Sequence, residues 1–160
     1  EETSLLLNQQ PYMGEEVNCH AVIDMSMVSG LVTSLKSLTD LLVLDMKTNA
    51  KIISQARGAA QYCYGANALN LIDLKTFVLQ IVSNTQSLAI KNACAAVTDN
   101  FEATVIGLQV TKTMDHMING LGIALPNHSW EVLDYYCNFS FPSQGWMDFM
   151  EAYWAASGSI

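Results

Sequence analysis

Basic residues are scarce in this chain. Only 7 of its 160 residues are lysine or arginine, against 15 aspartates and glutamates, so the formal net charge is −8. No base follows Lys112, and the segments 1–16 and 127–160 carry acids alone. Proteins that bind phosphate backbones or anionic lipid surfaces present clustered lysine and arginine. The sequence therefore predicts no nucleic-acid partner.

Long hydrophobic runs are also missing, although the chain is apolar overall. Hydrophobic residues make up 51% of it and charged residues 14%, against about a quarter charged in an average soluble domain. The longest aliphatic run is Leu41–Leu44, whereas a membrane-spanning helix needs about 18 to 20 apolar residues. We expect no integral membrane segment and one compact domain with a sizeable core.

The short motifs that carry most catalytic and metal chemistry are absent as well. The chain has no CxxC, GxSxG, HExxH, P-loop or GxGxxG segment, which argues against zinc, hydrolase and nucleotide sites. His20 and Asp24 are four residues apart and would share one face of a helix, but such a pair is more typical of solvated or capping residues. We expect no metal, no cofactor and no enzymatic activity.

The cysteines and the glycosylation sequons favour a secreted protein. The even number of cysteines fits either two disulfides or four reduced core thiols in an intracellular protein; they are Cys19, Cys63, Cys94 and Cys137. Sequons begin at Asn127 and Asn138, and used sequons occur on the surface of secreted proteins. The chain also starts without methionine, which fits a mature secreted form and fits a trimmed chain equally well. The predicted location is extracellular, with glycosylation at both asparagines.

Two similar stretches suggest an internal repeat. CHAVID begins at Cys19 and CAAVTD at Cys94, 75 residues later, and with one deletion Cys63 corresponds to Cys137. Self-similarity at a fixed period is typical of duplicated units. The sequence predicts an acidic arm at 1–16, a first repeat at 17–91 and a second at 92–160, within one compact domain.

The predicted repeat restricts the disulfide pairing without fixing it, because all three pairings of the four cysteines respect a two-fold symmetry. Cys19 to Cys63 spans 44 residues and Cys94 to Cys137 spans 43. Near-equal spans favour one bridge within each half, as an ancestral single unit would leave. Each bridge would add about 3 to 4 kcal/mol of stability by the chain-entropy model.

The spacing of apolar residues predicts helices in both halves. Val28, Leu31, Leu35, Leu38 and Leu42 recur every three or four residues, as on the buried face of an amphipathic helix. The predicted helices are Asn18–Met46 with a kink at Ser29-Gly30, Ile52–Cys63, Leu71–Val82, Val97–Met117, one from Asn127 or Ser129 to Tyr136, and one after Pro142 that holds Trp146–Tyr153. A strand over TVIGLQVT (104–111) is a minor alternative, because alternation there is poor and hairpin turn dipeptides are absent.

These elements predict an all-α fold: a disulfide-stabilised helical bundle of two diverged repeats of about 75 residues with pseudo-two-fold symmetry. Its surplus of apolar side chains, including eight methionines, could fill an ordinary core, enclose a cavity or cover an interface with a second copy. The residues predicted to line such a cavity are Met25, Leu35, Leu42, Phe77, Phe101, Met114, Met117, Trp146, Phe149 and Met150.

The cavity leads to the favoured function, a secreted carrier of a small hydrophobic ligand such as a fatty acid, a sterol or a pheromone-like molecule. The alternative is an extracellular protein-interaction module, cytokine-like or inhibitory, with a homodimer as one form. Its best pointer is SWEVLDYY, which places Trp130, Tyr135 and Tyr136 near acids, because aromatic anchors dominate protein interfaces.

Overall fold

The structure is a computed structural model that describes residues 19–60, 71–110, 119–131 and 144–158. Helices dominate these residues. The helices are α1 (Val28–Leu44), α2 (Met46–Ala60), α3 (Leu74–Asn84), α4 (Leu88–Thr104) and α5 (Trp146–Ser157). The strands are β1 (Cys19–Ile23), β2 (Leu71–Asp73), β3 (Val105–Val110) and β4 (Gly122–Ala124), and a 3-10 helix covers Ser129–Glu131.

The core lies between the helices. In α1, Leu31, Leu35, Leu38 and Leu42 are buried and follow the predicted spacing, and this helix packs against α4 and α5. In turn, α2 packs against α3 and α5, and α3 contacts α4. The centre of the core is α3, whose Phe77, Val78 and Ile81 are fully buried, together with Phe149 and Met150 of α5.

Two small antiparallel sheets hold distant parts of the chain together. In one, β1 pairs with β3, with Cys19 opposite Val110 and a register shift after Val22. In the other, β2 pairs with β4, with Leu71 opposite Ala124. Within the part of the chain that the structure describes, each sheet has two strands. The described residues therefore form a mainly helical structure, as predicted, with small strand pairs that the all-α prediction lacked.

Those strand pairs also correct several predicted helices. The helix predicted over Asn18–Met46 begins at Val28 because residues 19–23 form β1. The segment TVIGLQVT, a minor strand alternative in the sequence, does contain a strand over Val105–Val110. The sequence pattern favoured helix at both segments because the two strands lie more than 80 positions apart along the chain, so no turn dipeptide joins them.

The predicted two-repeat bundle is not observed in the backbone. Cys19–Ile23 is a strand, whereas the matching Cys94–Asp99 lies inside α4. The predicted boundary between residues 91 and 92 also falls inside α4, which spans Leu88–Thr104. The segments that carry the 75-residue similarity therefore do not occupy equivalent positions, and pseudo-two-fold symmetry has no basis in these elements. The acidic arm at 1–16 lies outside the described residues.

The predicted disulfide stabilisation is also wrong for the described residues. Cys94 is a free, fully buried thiol on α4, so the favoured bridge to Cys137 is not formed. Cys63, Cys137 and the side chain of Cys19 lie outside the described part of the chain. Packing explains the free thiol: Cys94 occupies the same buried face of α4 as Ile90, Val97 and Phe101, where cysteine acts as a small apolar residue.

Candidate functional site

A pocket of about 610 Å³ lies beside α1. Apolar side chains from α1, from the start of α3 and from the segment around β4 make up most of its wall. Its lining, among the described residues, is Met25, Val28, Ser29, Leu31, Val32, Thr33, Leu35, Leu74, Leu121, Gly122, Ile123 and Gln144. The volume is within the range of about 300 to 1,000 Å³ that is typical of small-molecule sites.

One face of α1 forms one wall of the pocket. Val28, Val32 and Leu35 lie on successive turns, because residues three and four apart share a helix face. The opposite wall comes from Leu74 and Ile123, which are both buried. Pairing of β2 with β4 sets Ile123 opposite Ile72, two residues before Leu74. The pocket therefore lies between one face of α1 and the strand pair β2–β4, which brings together residues about 50 positions apart along the chain.

A buried carboxylate fixes the β4 side of the pocket. Asp73 is fully buried, and it caps α3 by accepting from the Thr76 backbone N–H at 2.8 Å. Its oxygens also accept from the Asn119 backbone N–H and from Asn119 Nδ2, each at 2.8 Å. The Leu74 N–H donates to the Leu121 carbonyl at 3.1 Å. These bonds hold residues 119–121 against the first turn of α3 and so position the lining residues that follow.

Three helix side chains hold the other end of the same segment. Trp146 Nε1 donates to the Ala124 carbonyl at 2.8 Å, Arg57 Nε donates to the Leu125 carbonyl, and Trp154 Nε1 donates to the Pro126 carbonyl at 3.0 Å. Burial lowers the pKa of the Arg57 guanidinium, and nearby Tyr153 and Glu131 offset part of that decrease. These bonds tie the carbonyls of residues 124–126 to α2 and α5, directly after the lining residues Gly122 and Ile123.

Among the described residues that line the pocket, the polar side chains are few and uncharged. They are Ser29, Thr33 and Gln144, and all are exposed at the rim. The Thr33 hydroxyl donates to the Ser29 carbonyl at 2.8 Å, so it keeps acceptor capacity for a ligand. A mostly apolar wall with a few polar groups at its edge can remove an apolar ligand from water and orient one polar end of it.

The predicted cavity residues divide into distinct groups in the structure. Met25 and Leu35 line the pocket. Trp146 lies at a smaller adjoining pocket. The others that the structure describes are packed in the core, namely Leu42, Phe77, Phe101, Phe149 and Met150. Met114 and Met117 lie outside the described residues. Sequence reasoning therefore selected core residues for the most part, because large apolar side chains on helices serve both purposes.

Most residues that line the pocket were not predicted to do so, although several of them belong to an apolar pattern in the sequence. Val28, Leu31 and Leu74 are in the apolar pattern that predicted the helices. Val32 is also apolar and lies beside Leu31 and Leu35. The apolar face of α1 is therefore wider than a single helix packed against it would cover. That excess width is the signal that could have indicated the pocket. Ile123 and Gln144 carry no comparable signal, because the tertiary fold alone brings them to α1.

A second exposed feature is an aromatic pair near the 3-10 helix. The rings of His128 and Trp130 stack with centroids 4.1 Å apart and an interplanar angle of 7°, and Trp130 is 68% exposed. Glu131 Oε2 accepts from the backbone N–H groups of Asn127 and His128 at 2.8 and 3.2 Å. The turn that presents the pair is therefore well fixed. Tyr135 and Tyr136 lie outside the described residues.

Other predicted sites are placed as follows. Asn127 is exposed, whereas Asn138 lies outside the described residues. The Asp24 carboxylate accepts hydrogen bonds from the Ser26 hydroxyl and from the Ser26 backbone N–H. Both bonds lower the pKa of this carboxyl, and the bond from the hydroxyl has the larger effect.

In the described ranges, no three His, Cys, Asp or Glu side chains are arranged to hold a metal ion. No helix in those ranges combines the length and hydropathy needed to cross a membrane.

No protein-family model, curated protein or solved structure matches this chain.

Proposed function

We propose that this protein is a carrier of a small hydrophobic ligand, which it holds in the pocket beside α1. The observation that supports this most directly is the pocket itself, with its volume of about 610 Å³ and its mainly aliphatic lining. Burying apolar ligand surface there contributes about 25 cal/mol per Å². The hydrogen bonds that fix residues 119–126 also support the proposal, because a pre-formed wall avoids an ordering cost on binding.

The test is binding of a neutral apolar dye, N-phenyl-1-naphthylamine, followed by its fluorescence. The variant is Val32→Phe, which adds volume at a half-buried lining position of α1. Its matched control is Val43→Phe, on the same helix, exposed and outside the pocket lining. We expect the wild type and the control to bind alike and Val32→Phe to bind at least about tenfold more weakly, since the added ring takes up pocket volume and overlap with a bound dye is strongly unfavourable.

Two results would overturn the carrier proposal. One is no saturable dye binding by the wild type. The other is equal affinity in Val32→Phe and the wild type, with both variants folded by circular dichroism. Native mass spectrometry of the protein purified from its source adds a second readout, because a bound hydrophobe should appear as a reproducible mass increment that organic solvent removes.

A second candidate function, a protein-interaction module, is favoured by the exposed Trp130. Tryptophan is enriched among interface anchors, and stacking on His128 at 4.1 Å holds its ring with little rotamer entropy left to lose. If a homodimer is the working form, sedimentation equilibrium should detect it in the wild type and Trp130→Ala should shift it to monomer. A wild type that stays monomeric at every concentration argues against this form.

Secretion remains part of the proposal. Asn127 is exposed, which is a requirement for a glycosylated asparagine. The buried thiol of Cys94 fits the intracellular alternative equally well, because a reduced core cysteine needs no oxidising compartment. Deglycosylation of the protein from its source distinguishes the two locations: a mass loss that maps to Asn127 supports secretion, and an unmodified Asn127 peptide counts against it.

A further inference from the structure

The pocket beside α1 has an extension that ends at a lysine. A small adjoining pocket of about 10 Å³ shares Val32, Leu35 and Gln144 with the larger one and adds Lys36, Thr39 and Trp146. Among the described residues that line either pocket, Lys36 is the one charged side chain. The apolar space therefore leads along α1 to the Lys36 ammonium.

The position of Lys36 is set by its surroundings. Its stem lies beside Gly145, where an added Cβ would be 3.5 Å from Lys36 Cγ and 3.6 Å from Nζ. Its ammonium donates to both carboxylate oxygens of Asp40 at 2.8 Å. Both side chains are more than half exposed, at 51% and 62%. An exposed ion pair of this kind contributes little stability and is easily exchanged, so the ammonium is available to another carboxylate.

We propose that the ligand is an amphipathic acid, a fatty acid of medium chain length, with its carboxylate at Lys36 and its alkyl chain in the pocket. This inference rests on the carrier function proposed above. The head would accept from Lys36 Nζ in place of Asp40 and from the side-chain amide of the exposed Gln144, giving charge-assisted hydrogen bonds. The tail would lie along α1 between Lys36 and Val28. Eight helical residues span about 12 Å, the length of a medium alkyl chain.

The chemistry of the two ends argues for this orientation. A carboxylate placed among Leu31, Leu74 and Ile123 would lose its hydration without a partner, which is strongly unfavourable. At Lys36 the same group stays partly hydrated and meets a cation. Moreover, Asp40 competes with the ligand for that cation, so removing the Asp40 charge should improve binding of an acid and leave binding of an alcohol unchanged.

The experiment compares decanoic acid with decanol at pH 8 by isothermal titration calorimetry. We expect the wild type to bind the acid about three- to fivefold more tightly than the alcohol, which is the upper part of the range for an exposed ion pair. Lys36→Met should abolish that preference, and Asp40→Asn should increase it by a similar factor. Lys47→Met, an exposed lysine on α2 outside both pockets, is the charge-matched control and should leave the preference unchanged.

The outcomes separate this inference from the carrier function. If both compounds bind and Lys36→Met leaves their ratio unchanged, the assignment of the head group is wrong while the carrier stands. An alcohol that binds more tightly than the acid to the wild type also overturns the assignment. If neither compound binds to the wild type, and the neutral dye fails as well, then the carrier function itself is refuted.

Discussion

Asp73 is a single residue on which two parts of the fold depend. It is fully buried, and its two oxygens accept from Thr76 and twice from Asn119. Asp73→Asn keeps a good helix cap, but turns an amide donor toward the Asn119 N–H. Because that donor would stay unpaired, we expect the free energy of unfolding to fall by about 1 to 3 kcal/mol, measured by urea denaturation.

The control for this prediction is Asp40→Asn at the surface. Asp40 is 62% exposed and pairs with Lys36, so its replacement should change the free energy of unfolding by less than about 0.5 kcal/mol. Equal effects of the two substitutions would show that Asp73 contributes no more than a surface acid. They would also remove the physical reason for a fixed β4 wall in the pocket.

Cys94 should make stability depend on alkaline pH. Burial raises the pKa of its thiol from 9.0 to about 12. The folded protein therefore keeps this proton at a pH where the unfolded chain has lost it. This contribution is fully present below pH 9 and is lost as the pH rises toward 12, with a slope of up to about 1.4 kcal/mol per pH unit.

Cys94→Ala isolates that contribution from the other groups that titrate at high pH. We expect the difference in unfolding free energy between the wild type and Cys94→Ala to be constant from pH 7 to 8 and to shrink between pH 9 and 11. Iodoacetamide should also leave Cys94 unmodified in the folded protein at pH 8 and alkylate it in urea, since the thiolate is the reactive form. Rapid alkylation of the folded protein would contradict the burial of this residue.

At the level of elements, the contact between α1 and α4 depends on a glycine. A Cβ at Gly30 would lie 2.8 Å from Asn100 Oδ1, and Asn100 Nδ2 already donates to the Ala96 carbonyl at 2.8 Å. Gly58, on α2, has nothing within 4 Å of an added Cβ. Gly58→Ala should therefore gain the usual helix preference of about 0.5 to 1 kcal/mol, whereas Gly30→Ala should gain nothing.

A double-mutant cycle tests the reason for that difference. In an Asn100→Ala background the obstacle at Gly30 is gone, and Gly30→Ala should then stabilise the protein by about the same 0.5 to 1 kcal/mol as Gly58→Ala. Thermal unfolding followed by circular dichroism gives all four values. If Gly30→Ala stabilises the wild type as much as Gly58→Ala does, then α1 and α4 are not in close contact at this point.

The helices were more accessible to sequence reasoning than the strands, and the reason is the range of the interactions. The face of α1 that carries Leu31, Leu35 and Leu38 is encoded by neighbours three and four residues apart, so periodicity predicted it. The strand β1 has no such local signature, because its partner β3 lies far along the chain. CHAVI has a helix-compatible composition, and tertiary pairing decides its conformation.

On the scale of the whole molecule, the candidate site shows the same division. Sequence reasoning predicted an apolar space and named Met25 and Leu35, which line it. It also named Phe77 and Phe149, which fill the core. Composition indicates a surplus of apolar side chains. The packing of distant elements decides which of these side chains contact each other and which line a pocket. Ile123 and Gln144 reach the pocket through that packing.

The distribution of stability across the molecule should follow burial. The centre of the core is α3, where Phe77, Val78 and Ile81 are fully buried between α2 and α4. The β1–β3 pair has two strands and exposes Val22 and Ile106, the latter at 62%, and such a pair is marginal by itself. Amides open locally with a free energy that rises with the apolar contacts around them. We therefore expect hydrogen exchange, measured by mass spectrometry, to be slowest in α3 and faster in β1 and β3, by about two orders of magnitude or more.

Protection of β1 equal to that of α3 would contradict this prediction, because it would mean that a further surface covers the β1–β3 sheet. Measuring the exchange at several protein concentrations would then test whether that surface is a second copy of the chain, since only such protection rises with concentration.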